Sequence, residues 1–461
     1  MERNEVTRLA KANTFVARLL CKFLFSGSVK AYGVILTTFL DDFKTTHFIL
    51  GCSFALQMSS CNMASPLVKF LRRFAEYKTL YMFGGMLAAA GYFCRAIFPM
   101  NGIWELFIYS AITGIGFGLC NISSVVYMER AFRDSFPTAY SISLFAAYFG
   151  IAILPLLSEY LFKSFGIRVD MTVFGALCFM LVPVGLILPS KELKSSDKAQ
   201  QRRSEEHLPL TAEEMTRRNP NNNTASSSIM DQNRELSGYD RQRETVSTKL
   251  ESTENLLEEK RLNHPLFSGH PDFLLVWAIA TMYGLTLSSW AIFLIPFGES
   301  AGLDSSTAVL MSFCGGIGGV LGDLYCICIF YKGLGNILSG LALPSFLVFL
   351  SFIVTLISSE FPALALYSFI SGFGIAVQGI VSTSFTPSTL CDDHFEVAIV
   401  LSCFTEGIAA QLGSGLTGAL IDITGSFSLA FGLLSVLNLF LSVVSLIWWI
   451  VRKNSTNSFS S

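Results

Sequence analysis

Long apolar runs broken by short polar stretches dominate the chain. Windows of about 20 mostly apolar residues, enough to cross a bilayer at about 1.5 Å rise per residue, fall near 19–40, 48–70, 80–98, 103–127, 137–161 and 171–189, and again near 272–296, 306–330, 336–358, 362–386, 397–421 and 427–451. The pattern predicts six membrane helices, a gap, and six more. Residues 190–271 break it with KELKSSDKAQQRRSEEHLPL, NPNNNTASSS and KLESTENLLEEKRLNH. Such a polar, aromatic-poor stretch cannot bury enough apolar surface to fold alone, and it reads as a largely disordered linker with one charged helical stretch at 243–262.

Composition agrees. Of 461 residues, 52% are hydrophobic and only 14% charged, where soluble domains carry about 25% charged residues, and the mean hydropathy is +0.53. A net charge of −2 gives no footprint for nucleic acid. Eleven cysteines are scattered through apolar runs and read as packing residues, not as a disulfide framework. The five histidines fall in loops or the linker, outside any catalytic or metal-binding spacing, so neither enzymatic chemistry, a metal nor a cofactor is expected. MERNEVTRLAKANTFVARLL is charged and lacks a small-residue cleavage site, unlike a signal peptide.

Basic residues orient the spans. Arg72, Arg73, Lys78, Arg130, Arg133 and Lys332 share one side with the termini, which carry Arg3, Arg8, Lys11, Arg452 and Lys453. Only Lys44, Lys163 and Arg168 lie opposite. The positive-inside rule puts both termini and the linker in the cytosol, where the sequons at Asn222 and Asn454 would stay unglycosylated. The expected organisation is a cytosolic N-terminus (1–18), an N-terminal six-helix bundle (19–189), the linker (190–271), a C-terminal six-helix bundle (272–451) and a cytosolic tail (452–461). This all-α integral membrane plan, twelve transmembrane helices in two six-helix bundles, is the major facilitator plan, with a solute site between the halves near mid-membrane.

Charges within the spans are the candidate chemistry, because each costs about 2.5–3.5 kcal/mol at mid-bilayer on insertion scales. Lys30 sits in FLFSGSVKAYGVIL, too deep to snorkel, with Ser26, Gly27, Ser28, Gly33 and Tyr32 around it. Arg18 and Lys22 lie close enough to the cytosolic boundary to snorkel. Lys30 reads as a cavity cation attracting an anionic solute, or as a structural lysine paired with an intramembrane carboxylate. Glu406 in the eleventh span and Asp323 in the eighth are the partners on offer, each able to carry a proton or pair with a cation. Glycine clusters in TGIGFG, around 315–319 and around 413–418 read as close helix packing.

Several stretches are similar to the monocarboxylate transporters, solute carrier family 16. SVKAYGVILTTFLDDF resembles that family's first helix, LRRFAEYKTLYMFGGMLAAAGYFCRAIF the region after the second, and YSAITGIGFGLCNISSVVYMERAFRDSFPTAYSISLFAAYFG the fourth and fifth. The family's Gly-Trp-Arg-Gly stretch appears as Gly166, Ile167, Arg168 and Val169. LYSFISGFGIAVQG and FEVAIVLSCFTEGIAAQLGSGLTGALIDITGSF resemble helices ten and eleven. The resemblance implies that Lys30 takes part in carboxylate binding and proton coupling, that Glu406 matches the eleventh-helix glutamate, and that a single-span accessory glycoprotein is a partner.

Three departures stand out. The acidic-Gly-Gly-Trp-Gly-Trp opening is absent where TRLAKA lies. The eighth-helix aspartate and arginine fall on Gly318 and Gly322, with Asp323 just beyond, which removes the fork that suits a carboxylate. The tenth-helix pocket offers Ile375 and Gln378 where the family has aromatic bulk. The expected function is a multi-pass plasma-membrane secondary transporter of small, monocarboxylate-type organic anions, with or without proton coupling. Ser26, Lys30, Tyr32, Ile375 and Gln378 would bind the solute, and Glu406 and Asp323 would serve coupling or ion pairing. A proton-independent carrier of a neutral or amino-acid-like solute, and a non-transporting membrane sensor with the same fold, are the alternatives.

Overall fold

In lipid each backbone N–H and C=O must be satisfied within its own segment, which restricts an apolar chain of this kind to helices. The structure, a computed structural model, describes residues 2–98, 102–132, 135–189, 271–332, 337–384 and 392–458. Among these, fourteen helices are present: α1 (Glu2–Phe43), α2 (His47–Met63), α3 (Ser65–Leu71), α4 (Tyr77–Ile97), α5 (Ile103–Phe132), α6 (Phe136–Phe165), α7 (Ile167–Phe179), α8 (Leu181–Leu186), α9 (Pro271–Ser300), α10 (Ser305–Lys332), α11 (Ile337–Ile357), α12 (Phe361–Ser384), α13 (Asp392–Thr424) and α14 (Phe427–Ser458). Nine are long and apolar enough to cross a membrane, and a shorter apolar helix covers Leu341–Ile357.

Two breaks account for the extra helices. Pro66 opens α3 after α2 ends at Met63, and Pro183 lies in α8 just after α7 ends at Phe179; each proline removes a ladder hydrogen bond and crowds the preceding turn. Joining α2 to α3 and α7 to α8 leaves twelve crossings, six before the 190–270 stretch and six after it. Apart from Pro271, which opens α9, the expected linker lies outside the described residues, together with the 243–262 helix and Asn222. So do the side chains of Asn454, Arg452 and Lys453. α1 runs without interruption from Glu2, so the helix itself begins before the expected bundle boundary at residue 19.

The helices flanking that stretch pack into one compact unit. In the first half α1 packs on α5 and α6, and α4 on α5 and α7; in the second, α10 packs on α12, and α11 on α12 and α14. The seam between halves is made by α2 against α13 and α6 against α10. Outward surfaces are apolar. On α14, Leu429, Leu433, Val436, Phe440, Val443 and Ile447 recur every three or four residues and stay exposed, the stripe of a helix that turns its most apolar face to acyl chains.

Close approach depends on glycine at two informative positions. A side chain at Gly318 would collide with the Phe369 carbonyl, and one at Gly322 would lie 2.6 Å from that of Phe373. The α10–α12 contact therefore occupies the space where the resembling family carries its aspartate and arginine. Gly322→Leu should force these helices apart at a cost of about 1–3 kcal/mol. A lowered melting temperature and a smaller monodisperse fraction on size-exclusion chromatography are expected; unchanged values would refute the packing.

Candidate functional site

Opposite ends of the seam are built differently. At the end where α1 meets α2 and α9 meets α10, polar side chains close it. Asp422 of α13 accepts hydrogen bonds from the backbone N–H groups of His47 and Phe48 (2.9 and 2.8 Å) at the start of α2, and its Oδ1 lies 2.8 Å from His47 Nδ1. Glu159 of α6 accepts from Ser306 of α10 and from Lys163, both at 2.6 Å, and Lys163 also donates to Ser306 at 2.9 Å. Asp304 caps α10, with its carboxyl held below the usual carboxylate range first by the Thr307 hydroxyl (2.6 Å) and then by the Thr307 N–H. Deeper, Gln411 donates to the Cys52 carbonyl and Ser414 to that of Gly51, each at 3.0 Å.

At the other end the halves part around a cavity of about 300 Å³, in the range of small-molecule sites. Asn62, Asn121, Tyr140, Tyr283, Cys403 and Glu406 line it along with Lys22; Lys69, Glu129 and Arg130 stand toward its mouth, on the side of the basic connections. A narrower chamber of about 50 Å³ shares Lys22, Asn62, Tyr283 and Glu406 with it and reaches Ser26, Val29, Tyr148, Ala291 and Ala376. Together they form one vestibule that enters from the basic side and narrows toward mid-membrane.

The charges in this vestibule are arranged simply. Glu406 Oε1 accepts from Asn62 Nδ2 at 2.9 Å across the seam. Lys22, on α1, faces the same space with its ammonium 5.9 Å from the Phe25 ring centroid and, among the described residues, meets no hydrogen-bond acceptor or carboxylate. A cation and a carboxylate, contributed by opposite halves, thus share one water-accessible chamber.

Lys30 lies elsewhere in this conformation. It is fully buried, donates to the backbone carbonyl of Trp290 on α9 at 2.8 Å, and sits 3.7 Å from that indole's centroid. It bridges the halves without lining the cavities, though its neighbours Val29 and Ala291 do line the narrow chamber. Neither Glu406 nor Asp323 pairs with it. Asp323 is itself buried, and neither carboxylate oxygen meets a donor.

Of the remaining expected residues, Ser26 lines the narrow chamber. Tyr32 turns into the first half instead, bonded to Gln57 and Arg95 and stacked on Phe54 at 4.5 Å. Ile375 is 3% exposed, and Gln378 donates to Asn438 Oδ1 at 2.6 Å inside the second half. The next residue on each turn of α12, Ala376 and Gly379, faces the vestibule. The expected pocket residues are thus about 100° round the helix from the cavity face.

Arg18 also departs from expectation. Buried completely, it bonds Asn121 and lies 5.1 Å over the Tyr140 ring, so it does not snorkel outward. Arg95, unremarked in the sequence, donates to Tyr32 and Ser110 within the first half. Lys22 had a detectable signal: it lies eight residues before Lys30, two helical turns on, beneath the same deep segment. Apolar length alone put it at the end of a span, while the helix continues past it on both sides.

A major facilitator superfamily model matches residues 18–329, well over half of the sequence. The chain belongs to the major facilitator superfamily. It is 22% identical over 440 residues to monocarboxylate transporter 14 of Mus musculus, across 88% of this chain and 84% of that protein. Monocarboxylate transporter 14 of Homo sapiens matches 165 residues at 22% identity, 36% of this chain and 32% of that one. The crystal structure of peptide transporter POT in complex with sulfate shares the fold, with a TM-score of 0.65 at 15% identity over 94% of both chains. Within the superfamily this chain is a divergent member resembling monocarboxylate transporters, a multi-pass membrane protein and a secondary transporter, not an enzyme.

Gln378 separates pocket from scaffold. Gln378→Leu strands Asn438 Oδ1 at a cost of about 1–3 kcal/mol, lowering the melting temperature in detergent while leaving the concentration dependence of uptake unchanged. A shifted half-saturation point with an unchanged melting temperature would instead place Gln378 in the solute site.

Proposed function

We propose that the chain moves small organic anions of the monocarboxylate type across the plasma membrane by alternating access, with both termini and the 190–271 linker in the cytosol. The observation that carries this reading is Lys22: an ammonium without an acceptor, facing the chamber between the halves. A cation there without a hydrogen-bond acceptor among the described residues lowers the cost of taking a carboxylate from water, and a charge-assisted hydrogen bond holds it. On this topology the cavity opens to the cytosol and the Asp422 and Glu159 contacts seal the outside.

Lys30 serves the opposite state. When the outer seal parts, its bond to the Trp290 carbonyl breaks and the ammonium meets solute entering from outside. Lys22 and Lys30, about 12 Å apart along α1 at about 1.5 Å per residue, mark the two ends of the path. Glu406, beside Lys22 and bonded to Asn62, and Asp323, buried without a donor, are the groups that take up a proton if transport is proton-coupled.

A second reading has one specific observation in its favour. Glu406 presents a carboxylate in the chamber that holds Lys22, and such a pair suits an amino-acid-like solute whose ammonium meets Glu406.

Uptake of labelled monocarboxylates and amino acids in expressing cells, at two external pH values, tests both. Lys22→Gln and Lys30→Gln should each reduce monocarboxylate uptake by about tenfold or more, the worth of a charge-assisted hydrogen bond, at unchanged surface abundance. If Glu406 carries the proton, uptake rises as external pH falls and Glu406→Gln flattens that dependence. Unaltered uptake in both lysine variants would sink the anion reading, and amino-acid uptake lost on Glu406→Gln would establish the second.

A further inference from the structure

Among the described residues, Arg18 is the one fully buried guanidinium beside the vestibule, and three of its five N–H donors have no acceptor. Nη1 donates to the side-chain oxygen of Asn121, to the Asn121 carbonyl at 3.2 Å and to Ser124 Oγ at 3.3 Å. Nε and Nη2 are buried and meet no acceptor, and among the described residues no carboxylate pairs with the group. These two nitrogens form one edge of the planar guanidinium, and their N–H groups point the same way. That edge receives both oxygens of a carboxylate in parallel hydrogen bonds. Arg95, held by Tyr32 and Ser110, leaves only its Nε without an acceptor, so among the described residues the open edge of Arg18 is the larger unmet demand.

Its position fits such a use. Asn121, which holds Nη1, and Tyr140, beneath the guanidinium plane, both line the large cavity, and Lys22 lies one turn further along α1. The guanidinium therefore stands directly behind the cavity wall, separated from the solute space by residues it already touches. On α10, where the resembling family carries its carboxylate-binding arginine, Gly318 and Gly322 are closed off by the α12 backbone.

We propose that Arg18 is the carboxylate clamp of this transporter: a side-chain shift of Tyr140 opens the Nε/Nη2 edge, which grips both carboxylate oxygens of the solute while Lys22 compensates its charge. This rests on the organic-anion reading above and moves the fork from the second half of the molecule to the first helix.

Thermal unfolding of the purified full-length protein tests it, with acetate, pyruvate and phenylacetate as probes and their uncharged amides as controls. Binding to the folded state raises the melting temperature in proportion to affinity. The carboxylates should stabilise the wild type and the amides should not. Arg18→Lys keeps the charge and most of the stem but loses the fork, and should weaken the carboxylate effect by tenfold or more, whereas Lys22→Gln weakens it while leaving acid-over-amide discrimination in place. Equal carboxylate affinity in wild type and Arg18→Lys would overturn the clamp and leave the anion reading standing. Failure of every carboxylate to stabilise the wild type would overturn both. Should Arg18→Lys not fold, Asn121→Asp supplies an internal counter-charge and must reduce carboxylate binding to the same degree; undiminished binding there would equally overturn the clamp.

Discussion

Charge at bilayer depth is the constraint from which this structure is built. Water is absent there, so each ionic group needs a partner within the protein or an aqueous chamber. Arg95 is held inside the first half by Tyr32 and Ser110 with its Nε left without an acceptor, and Lys30 finds the carbonyl and indole face of Trp290. Lys22 and Glu406 are tolerated because the halves separate around them into a vestibule of about 300 Å³. Arg95 is thus held within one half and Lys30 across the seam, Lys22 and Glu406 border the cavity, and Arg18 is buried behind its wall.

The same constraint shapes the seam between the halves. On the closed side it is held by a few polar contacts: Asp422 on the start of α2, Glu159 with Ser306, and Lys30 on Trp290. Besides the Asp422–His47 imidazole and Glu159–Lys163 contacts, these join side chain to backbone or hydroxyl, the kind of contact water replaces readily once access is gained. Glycine contacts set close helix packing within each half, as at Gly318 on Phe369, and also at the seam, as at Gly316 on Ala152 and Gly418 on His47. On the proposed alternating-access reading, the halves move as units and the surface between them is what exchanges.

Much of this plan was visible in the sequence. Twelve apolar windows gave twelve crossings, because hydrophobic length is the one property lipid selects directly. The family resemblance gathered from SVKAYGVILTTFLDDF and the eleventh-helix stretch agreed with the superfamily match. Individual side chains were harder to place. Lys30 stood out as a deep cation, but its partner, a backbone carbonyl 260 residues away, carries no sequence mark. Lys22 and Arg18 were assigned to the boundary because apolar windows do not reveal that Arg18 is held by Asn121 and Tyr140 and that Lys22 lines the cavity at the seam. Ile375 and Gln378 were named one helical step from Ala376 and Gly379, since a helix hydrophobic on all sides gives no phase. Glycine at 318 and 322 looked like a loss of function residues, and the packing gives it a steric cause.

The central claim is that a cation on α1 borders an aqueous path between two helical halves, open on the basic side and sealed on the other. Labelling of Lys22→Cys with a membrane-impermeant thiol reagent, compared with the parent chain in intact cells and in inside-out vesicles, tests it most directly. The account predicts reaction in inside-out vesicles, little in intact cells, and protection by a transported carboxylate. Labelling from the outer face alone, or from neither face in a folded protein, would contradict it.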